Sequence, residues 1–259
     1  MNSFGLIETM KVANGRMVFK NLHIERLHQS LKTINIEESI FKLEDRLLRL
    51  MQYECIAHGL KNFRLRVEVQ KSNIKEYAKD FSGLKWNCTI KQSDDIRYKW
   101  NENGLSLTIL PKYQKQTDLF SNLKLTERSI YIKAQAYAAS TGFDHALVLN
   151  ENNTIADADI YNVFVVKDDI IYTPSLACAP VVGVFRRLLL EKIPQLQIIE
   201  KPISVAEIYQ ADELFLTNAF RGIQWVNQLD EKYFTPTKTR AVFERVSQFI
   251  STHFGEHLV

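Results

Sequence analysis

Cysteine is scarce in this chain. Cys55, Cys88 and Cys178 are odd in number and far apart; no disulfide framework or zinc-type spacing is visible, which points to a reducing compartment and to no metal site. Long apolar runs are missing as well, and none approaches the ~20 residues that span a bilayer, so no membrane partner is expected. Residues 1–9 hold no basic stretch leading into an apolar one, so a signal peptide is not expected and the cytoplasm is. Nor is charge of one sign in excess. Lysine and arginine number 33 against 30 acids, a net +3, and they are scattered. A nucleic-acid binder would carry a basic face or run, so nucleic acid is excluded as a partner, while a small phosphorylated or carboxylated ligand suits the balance. No internal repeat, low-complexity stretch, nucleophile elbow, Walker loop or dinucleotide fingerprint is present.

What is there reads as an α+β chain with room for two cores. Residues 5–12 and 16–19 form two short strands around Asn14-Gly15, a hairpin signal because both residues accept positive φ. Asn21 is the expected N-cap of a helix to Ile34, with Leu22, Leu27 and Leu31 near helical spacing. A longer helix covers 38–58, with Ile40, Leu43, Leu47 and Met51 on one face. Residues 63–69 alternate apolar and polar, as a half-buried strand does, and 86–91 form another. The Asn-rich stretch 98–104, closed by Gly104, is the expected linker. It divides a 1–97 amino-terminal domain from a 105–259 carboxy-terminal domain. Beyond it come a strand at 105–110, an irregular Lys/Gln-rich stretch around Pro111 and a helix at 126–140. Strands follow at 145–150, 162–166 and 170–173, with Asp168-Asp169 as a tight turn. A helix at 184–192, strands at 196–200, 212–217 and 222–226, and a helix at 240–253 complete the pattern. Strands outnumber crossover helices, which argues against a parallel doubly wound sheet.

Lys124 is the most informative residue. Taken alone, a lysine is a solvated surface cation, almost wholly protonated at neutral pH; burial, or an aldehyde that traps it as an imine, makes it useful. Its sequence neighbours change the reading. Asn122-Leu123-Lys124-Leu125-Thr126-Glu127-Arg128 precedes a helix, then Gly142-Phe143-Asp144-His145, then Ile155-Ala156-Asp157, with Asn162-Val163-Phe164 five residues after Asp157. Gly183-Val184-Phe185-Arg186 opens a helix after a Pro-containing loop, and exposed N–H groups at a helix start are a ready phosphate site. His23-Ile24-Glu25-Arg26-Leu27 supplies a guanidinium fork suited to phosphate oxygens. Phe4-Gly5-Leu6-Ile7-Glu8-Thr9 and Leu216-Thr217-Asn218-Ala219 complete the set.

In order and spacing these motifs resemble the pyridoxal-phosphate enzymes of fold type IV, the class IV aminotransferases and aminodeoxychorismate lyases, from residue 4 to about 226. The resemblance implies a small amino-terminal α/β domain and a larger carboxy-terminal domain with a β-barrel-like sheet and flanking helices. It implies pyridoxal 5'-phosphate as cofactor, a small amino compound as substrate and a homodimer. Lys124 would be the catalytic residue, holding the cofactor as a Schiff base. Asp157 would face the pyridine nitrogen, keeping the ring protonated as an electron sink. Asn162 follows it, and Arg26, with Gly183, Val184, Phe185, Asn218 and Ala219, would hold the phosphate. The activity implied is conversion of 4-amino-4-deoxychorismate to 4-aminobenzoate and pyruvate, in folate synthesis. The alternatives are an aminotransferase acting on branched-chain or D-amino acids, and a non-catalytic small-molecule-binding descendant.

The chain departs from the pattern at three places. Asp157 stands where Glu is usual, one methylene short, and Asp159, two residues on along a strand, is a second acid for the same face. Phe185 replaces a hydroxyl residue near the phosphate. Gln70-Lys71 stands where some relatives carry a carboxylate-trapping arginine. Elsewhere, His253 and His257 read as a terminal tail rather than a metal pair, Cys178 as a small buried residue, and Arg186-Arg187 as a solvated helix face.

Overall fold

The computed structural model describes residues 5–71, 83–193 and 195–259; Phe4, the first residue of one expected motif, lies outside them. The chain divides into two compact units, Met1–Arg97 with Leu123–Glu127, and Tyr98–Asn122 with Arg128–Val259.

The first unit is a sheet covered by two helices. Strands β1 (Gly5–Ala13) and β2 (Arg16–Met17) meet at Asn14-Gly15, whose φ angles of 50° and 73° are those of the tight hairpin that Asn-Gly favours. Helix α1 (Lys20–Thr33) begins after Phe19, not at the expected cap Asn21. Phe19 sits in the left-handed region at φ 56° with its side chain buried, so core burial holds the turn where a polar cap would otherwise do so. Helix α2 (Ile40–His58) buries Leu43, Leu47 and Met51 and stops at Gly59, φ 63°. Strands β3 (Phe63–Lys71) and β4 (Leu84–Gln92) complete an antiparallel sheet in the order β2-β1-β3-β4. The alternation in β3 buries Phe63, Leu65, Val67 and Val69. These pack with Ile24, Leu27 and Leu31 of α1 and the buried stripe of α2 in one apolar cluster. Residues 123–127 return to this unit along the free edge of β1. Ile7 N donates to Lys124 O at 2.8 Å, Thr126 N donates to Gly5 O at 2.8 Å, and Leu6 bridges Leu125 in antiparallel sense.

The second unit is built on β5 (Leu105–Lys115), α3 (Ser129–Thr141), β6 (His145–Asn150), β7 (Ile155–Ala158), β8 (Asn162–Lys167) and β9 (Ile170–Pro174). Then come α4 (Val184–Lys192), β10 (Ile198–Lys201), α5 (Val205–Tyr209), β11 (Glu213–Asn218), β12 (Gly222–Leu229), β13 (Lys232–Tyr233) and α6 (Thr237–Phe254). The strands form one mixed sheet in the order β10-β9-β8-β11-β12-β5-β6-β7, with β13 on β12. Pairs β5–β6, β5–β12 and β9–β10 are parallel and the rest antiparallel, in keeping with the case against a doubly wound fold. The Asp168-Asp169 turn has both φ angles positive, 50° and 62°.

Three local expectations are corrected. The stretch around Pro111 is not irregular: β5 runs through it with a register shift between Ile109 and Gln114 and Lys112 at φ 68°. A proline lacks the ladder donor, and a bulge accommodates it. The helix expected from 126 starts at Ser129. Helix α5, absent from the expected elements, begins with a capping box in which Ser204 and Glu207 satisfy each other's backbone N–H groups. Residues 98–104 are bonded into the second unit: Tyr98 N donates to Leu258 O at 2.7 Å, the Asn101 side chain exchanges hydrogen bonds with the Trp225 backbone, and Trp100 stacks on Trp225. No helix among the described residues is long and apolar enough to cross a membrane.

Candidate active site

In the first unit, β1 and α1 bring together Glu8, His23 and Arg26, all buried. Arg26 donates to both Glu8 oxygens, from Nε at 2.7 Å and from Nη2 at 2.5 Å. His23 Nδ1 lies 2.6 Å from Glu8 Oε2. Burial alone raises the Glu8 pKa, but the Arg26 charge and the His23 hydrogen bond outweigh it and hold the carboxyl at about 2. Burial depresses the His23 pKa against the pull of Glu8, and the Lys124 charge adds to the depression. With Glu8 ionised and His23 neutral, Nδ1 carries the imidazole proton, and Nε2 is buried with no hydrogen-bond partner among the described residues. Lys124 is fixed through its backbone on β1, where its carbonyl accepts from Ile7. The fork of Arg26, expected to face a phosphate, thus grips an internal acid through Nε and Nη2.

Asp157 is the centre of the second unit's polar cluster. It sits on β7 and is 2 % exposed. Oδ2 accepts from Tyr131 Oη at 2.8 Å and from Lys115 Nζ at 3.1 Å, and Lys115 also donates to Tyr131 Oη at 2.6 Å. Oδ1 accepts from Asn162 Nδ2 at 3.1 Å, and Val181 N lies within 3.2 Å of both oxygens. Donors from β5, α3, β8 and the loop before α4 therefore converge on one carboxylate. Asp159 has left the strand: its φ is 22°, it accepts from the Ile160 N–H, and it holds His145 Nδ1 at 2.7 Å. The two acids that a regular strand would point the same way serve separate networks.

Gly183 caps α4, and an added Cβ there would lie 1.8 Å from Asn162 Oδ1, so any larger residue would displace the side chain that orients Asp157. Val184 and Phe185 begin the helix, and the Phe185 ring packs against Tyr98 at 5.7 Å between centroids; at this position the backbone is the part left to meet a ligand. Thr217, cross-strand from Asn162, has a buried hydroxyl with no partner among the described residues. Asn218 Oδ1 accepts from the N–H groups of Phe220 and Arg221, and the Ala219 carbonyl accepts from Tyr98 Oη at 2.8 Å, which makes that turn rigid. Orphaned Thr217, a glycine-opened helix start and a buried acid suit a phosphorylated pyridine.

Several expected features are disposed of elsewhere. Arg186 is buried and donates from Nη2 to Pro174 O at 2.9 Å and to Glu200 at 2.5 Å, while Arg187 pairs with Glu191; the expected solvated pair is one core staple and one helix-face bridge. Cys178 is buried. Among the described residues no group of three or more potential ligands is set to hold a metal ion. Two residues of the Asp157 cluster, Lys115 and Tyr131, carried no sequence signal that singled them out.

Comparison with known proteins gives the family and the fold. Residues 5–229 match the family described as amino-transferase class IV. The chain belongs to the class IV aminotransferase family. It is 26% identical over 234 residues to the aminodeoxychorismate lyase of Bacillus subtilis, covering 88% of this chain and 78% of that protein. The crystal structure of 4-amino-4-deoxychorismate lyase from Pseudomonas aeruginosa superposes with a TM-score of 0.77 at 22% identity, over 97% of this chain and 91% of that one. The branched-chain amino acid aminotransferase of Escherichia coli gives 0.79 at 17% identity, over 98% and 86%. At these identities the structures establish the fold alone, which is fold type IV.

Proposed function

We propose that this class IV aminotransferase family member binds pyridoxal 5'-phosphate and acts as a lyase, releasing 4-aminobenzoate and pyruvate from 4-amino-4-deoxychorismate. The observation that carries the reading is the likeness to the Bacillus subtilis lyase over 88% of the chain, joined to the presence of Lys124 and of the buried Asp157 cluster. Bound, the cofactor supplies an electron sink for the carbon next to the substrate's amino group. The chain's residues do the rest. With the cofactor bound, Lys124 would be its anchor through Nζ and the base for the proton on that carbon. Asp157 would face the ring nitrogen, held in place by Asn162 and Val181 N. The N–H groups of Val184 and Phe185, following Gly183, hold the phosphate together with Ala219 of the Asn218 turn and with Arg26. Loss of the proton, and departure of the enolpyruvyl oxygen from the neighbouring carbon, complete an aromatic ring. The enol takes up a proton to become pyruvate, so no further reactant is needed.

Purified protein is expected to show a visible band that borohydride bleaches and that Lys124→Ala lacks, and to release pyruvate from aminodeoxychorismate. Colourless protein that takes up no added cofactor would overturn the reading and leave the non-catalytic binding descendant. Coloured protein that instead transfers amino groups from branched-chain or D-amino acids to a 2-oxo acid would make it a transaminase. A homodimer working in the cytoplasm completes the proposal; sedimentation of the purified protein tests the assembly.

A further inference from the structure

Besides Arg26, the proposed grip on the phosphate is made of backbone from two places in the second unit: the start of α4 at Val184-Phe185 and the Asn218-Ala219 turn after β11. Backbone N–H donors bind an anion only as well as they are held in place beforehand. Tyr98 touches both places. Its hydroxyl donates to the Ala219 carbonyl at 2.8 Å, and its ring packs on that of Phe185 with centroids 5.7 Å apart. Both rings are buried. Burial pushes the Tyr98 hydroxyl well above the usual phenol range, so it keeps the proton that it donates. Gly222 makes room for this contact. It pairs with Asn218 where the turn closes, and a Cβ there would stand 2.7 Å from Tyr98 Cδ1 and 3.5 Å from Phe185 Cζ.

We infer that Tyr98 is a positioning residue for the phosphate: one side chain ties the start of α4 to the Asn218-Ala219 turn, so that N–H groups from both are set for one anion. This rests on the cofactor reading above and deepens it. A carbonyl held by the phenol is kept from turning towards the anion, which it would repel. Phe185 gains a role as well. A hydroxyl residue in its place could offer the anion a side-chain donor but could not fill the space against Tyr98; the phenylalanine gives up that donor and fixes the backbone instead. The link acts at the phosphate and not at the pyridine ring, so its loss should be felt only by a ligand that carries a phosphate.

The test compares uptake of pyridoxal 5'-phosphate with uptake of pyridoxal, which lacks the phosphate, by absorbance titration of the wild type, Tyr98→Phe, Phe185→Leu and Asn101→Ala. Tyr98→Phe removes only the hydroxyl and is expected to bind pyridoxal phosphate roughly threefold to tenfold more weakly, the worth of one neutral hydrogen bond, with pyridoxal binding unchanged. Should Tyr98→Phe fail to fold, Phe185→Leu, which loosens the ring contact, carries the same reading. Asn101→Ala breaks the bonds of the same segment to the Trp225 backbone; it should lower thermal stability and leave the ratio of the two affinities as in the wild type. An unmoved ratio in Tyr98→Phe, equal weakening of both ligands, or a ratio lowered as much by Asn101→Ala would overturn the inference and leave the cofactor reading intact. Wild-type protein that takes up neither ligand would overturn both.

Discussion

In each unit a buried carboxylate lies against a cation, Glu8 in the first and Asp157 in the second, and the two are put together differently. Glu8 meets the planar fork of Arg26 through two bonds and His23 through a third. Both partners come from α1, so the cluster is a staple between one strand and one helix. Asp157 meets the point charge of Lys115 through a single bond, and its partners come from four separate segments. A fork on one helix ties that helix to one strand, whereas donors from four segments converge to hold one acid in place. The first cluster belongs to stability in the main, the second to chemistry.

Substitutions can break or sharpen that contrast. The largest effect is expected from Arg26→Ala, which leaves Glu8 buried and uncompensated; urea denaturation should show a loss of about 3–5 kcal/mol. Acid should next separate the clusters. The folded pKa of Glu8, about 2, lies below its ordinary 4.5, so its contribution is complete above about 4.5 and is lost as pH falls towards about 2. The loss is on the order of 3 kcal/mol, and Glu8→Gln should flatten that limb of the stability profile. In the other cluster, Asp157→Asn should leave the fold in place, by circular dichroism, while slowing turnover roughly 10- to 150-fold, the worth of a charge-assisted hydrogen bond of about 1.5–3 kcal/mol. Tyr131→Phe removes a hydroxyl bonded to both Lys115 and Asp157 and should cost about 1.5–3 kcal/mol of stability. A larger loss from Tyr131→Phe than from Arg26→Ala would reverse the assignment of roles.

How much of this was legible beforehand depends on the range of the signal. Helices α2 and α4, strand β3 and the Asn14-Gly15 hairpin follow from local periodicity and turn chemistry, which a sequence displays directly. The ordered set of Lys124, Asp157, Asn162 and Gly183 was visible through its resemblance to a family. Lys115 was not, because it follows Pro111 and a residue at positive φ, which in sequence mark a loop. Only the register shift that carries β5 past them delivers Lys115 to an acid 42 residues away. The Glu8–Arg26 bond was hidden for a related reason: an arginine reads alike whether it awaits a phosphate or already grips an acid. Asp159 was misleading, since strict alternation placed it beside Asp157 and a single left-handed residue turned it towards His145. The bonds of Asn101 to Trp225 span 124 positions, beyond any local pattern.

The short return of residues 123–127 to the edge of β1 bears on how the polypeptide can be divided. A fragment ending at Arg97 would carry β1 without its covering strip, leaving the amide of Ile7 and the carbonyl of Gly5 open at the sheet's rim. Bare rims of that kind template self-association. Severed after Arg97, the amino-terminal piece should clump unless a peptide spanning 123–127 is added back, and that peptide carries Lys124, the lysine proposed as catalytic.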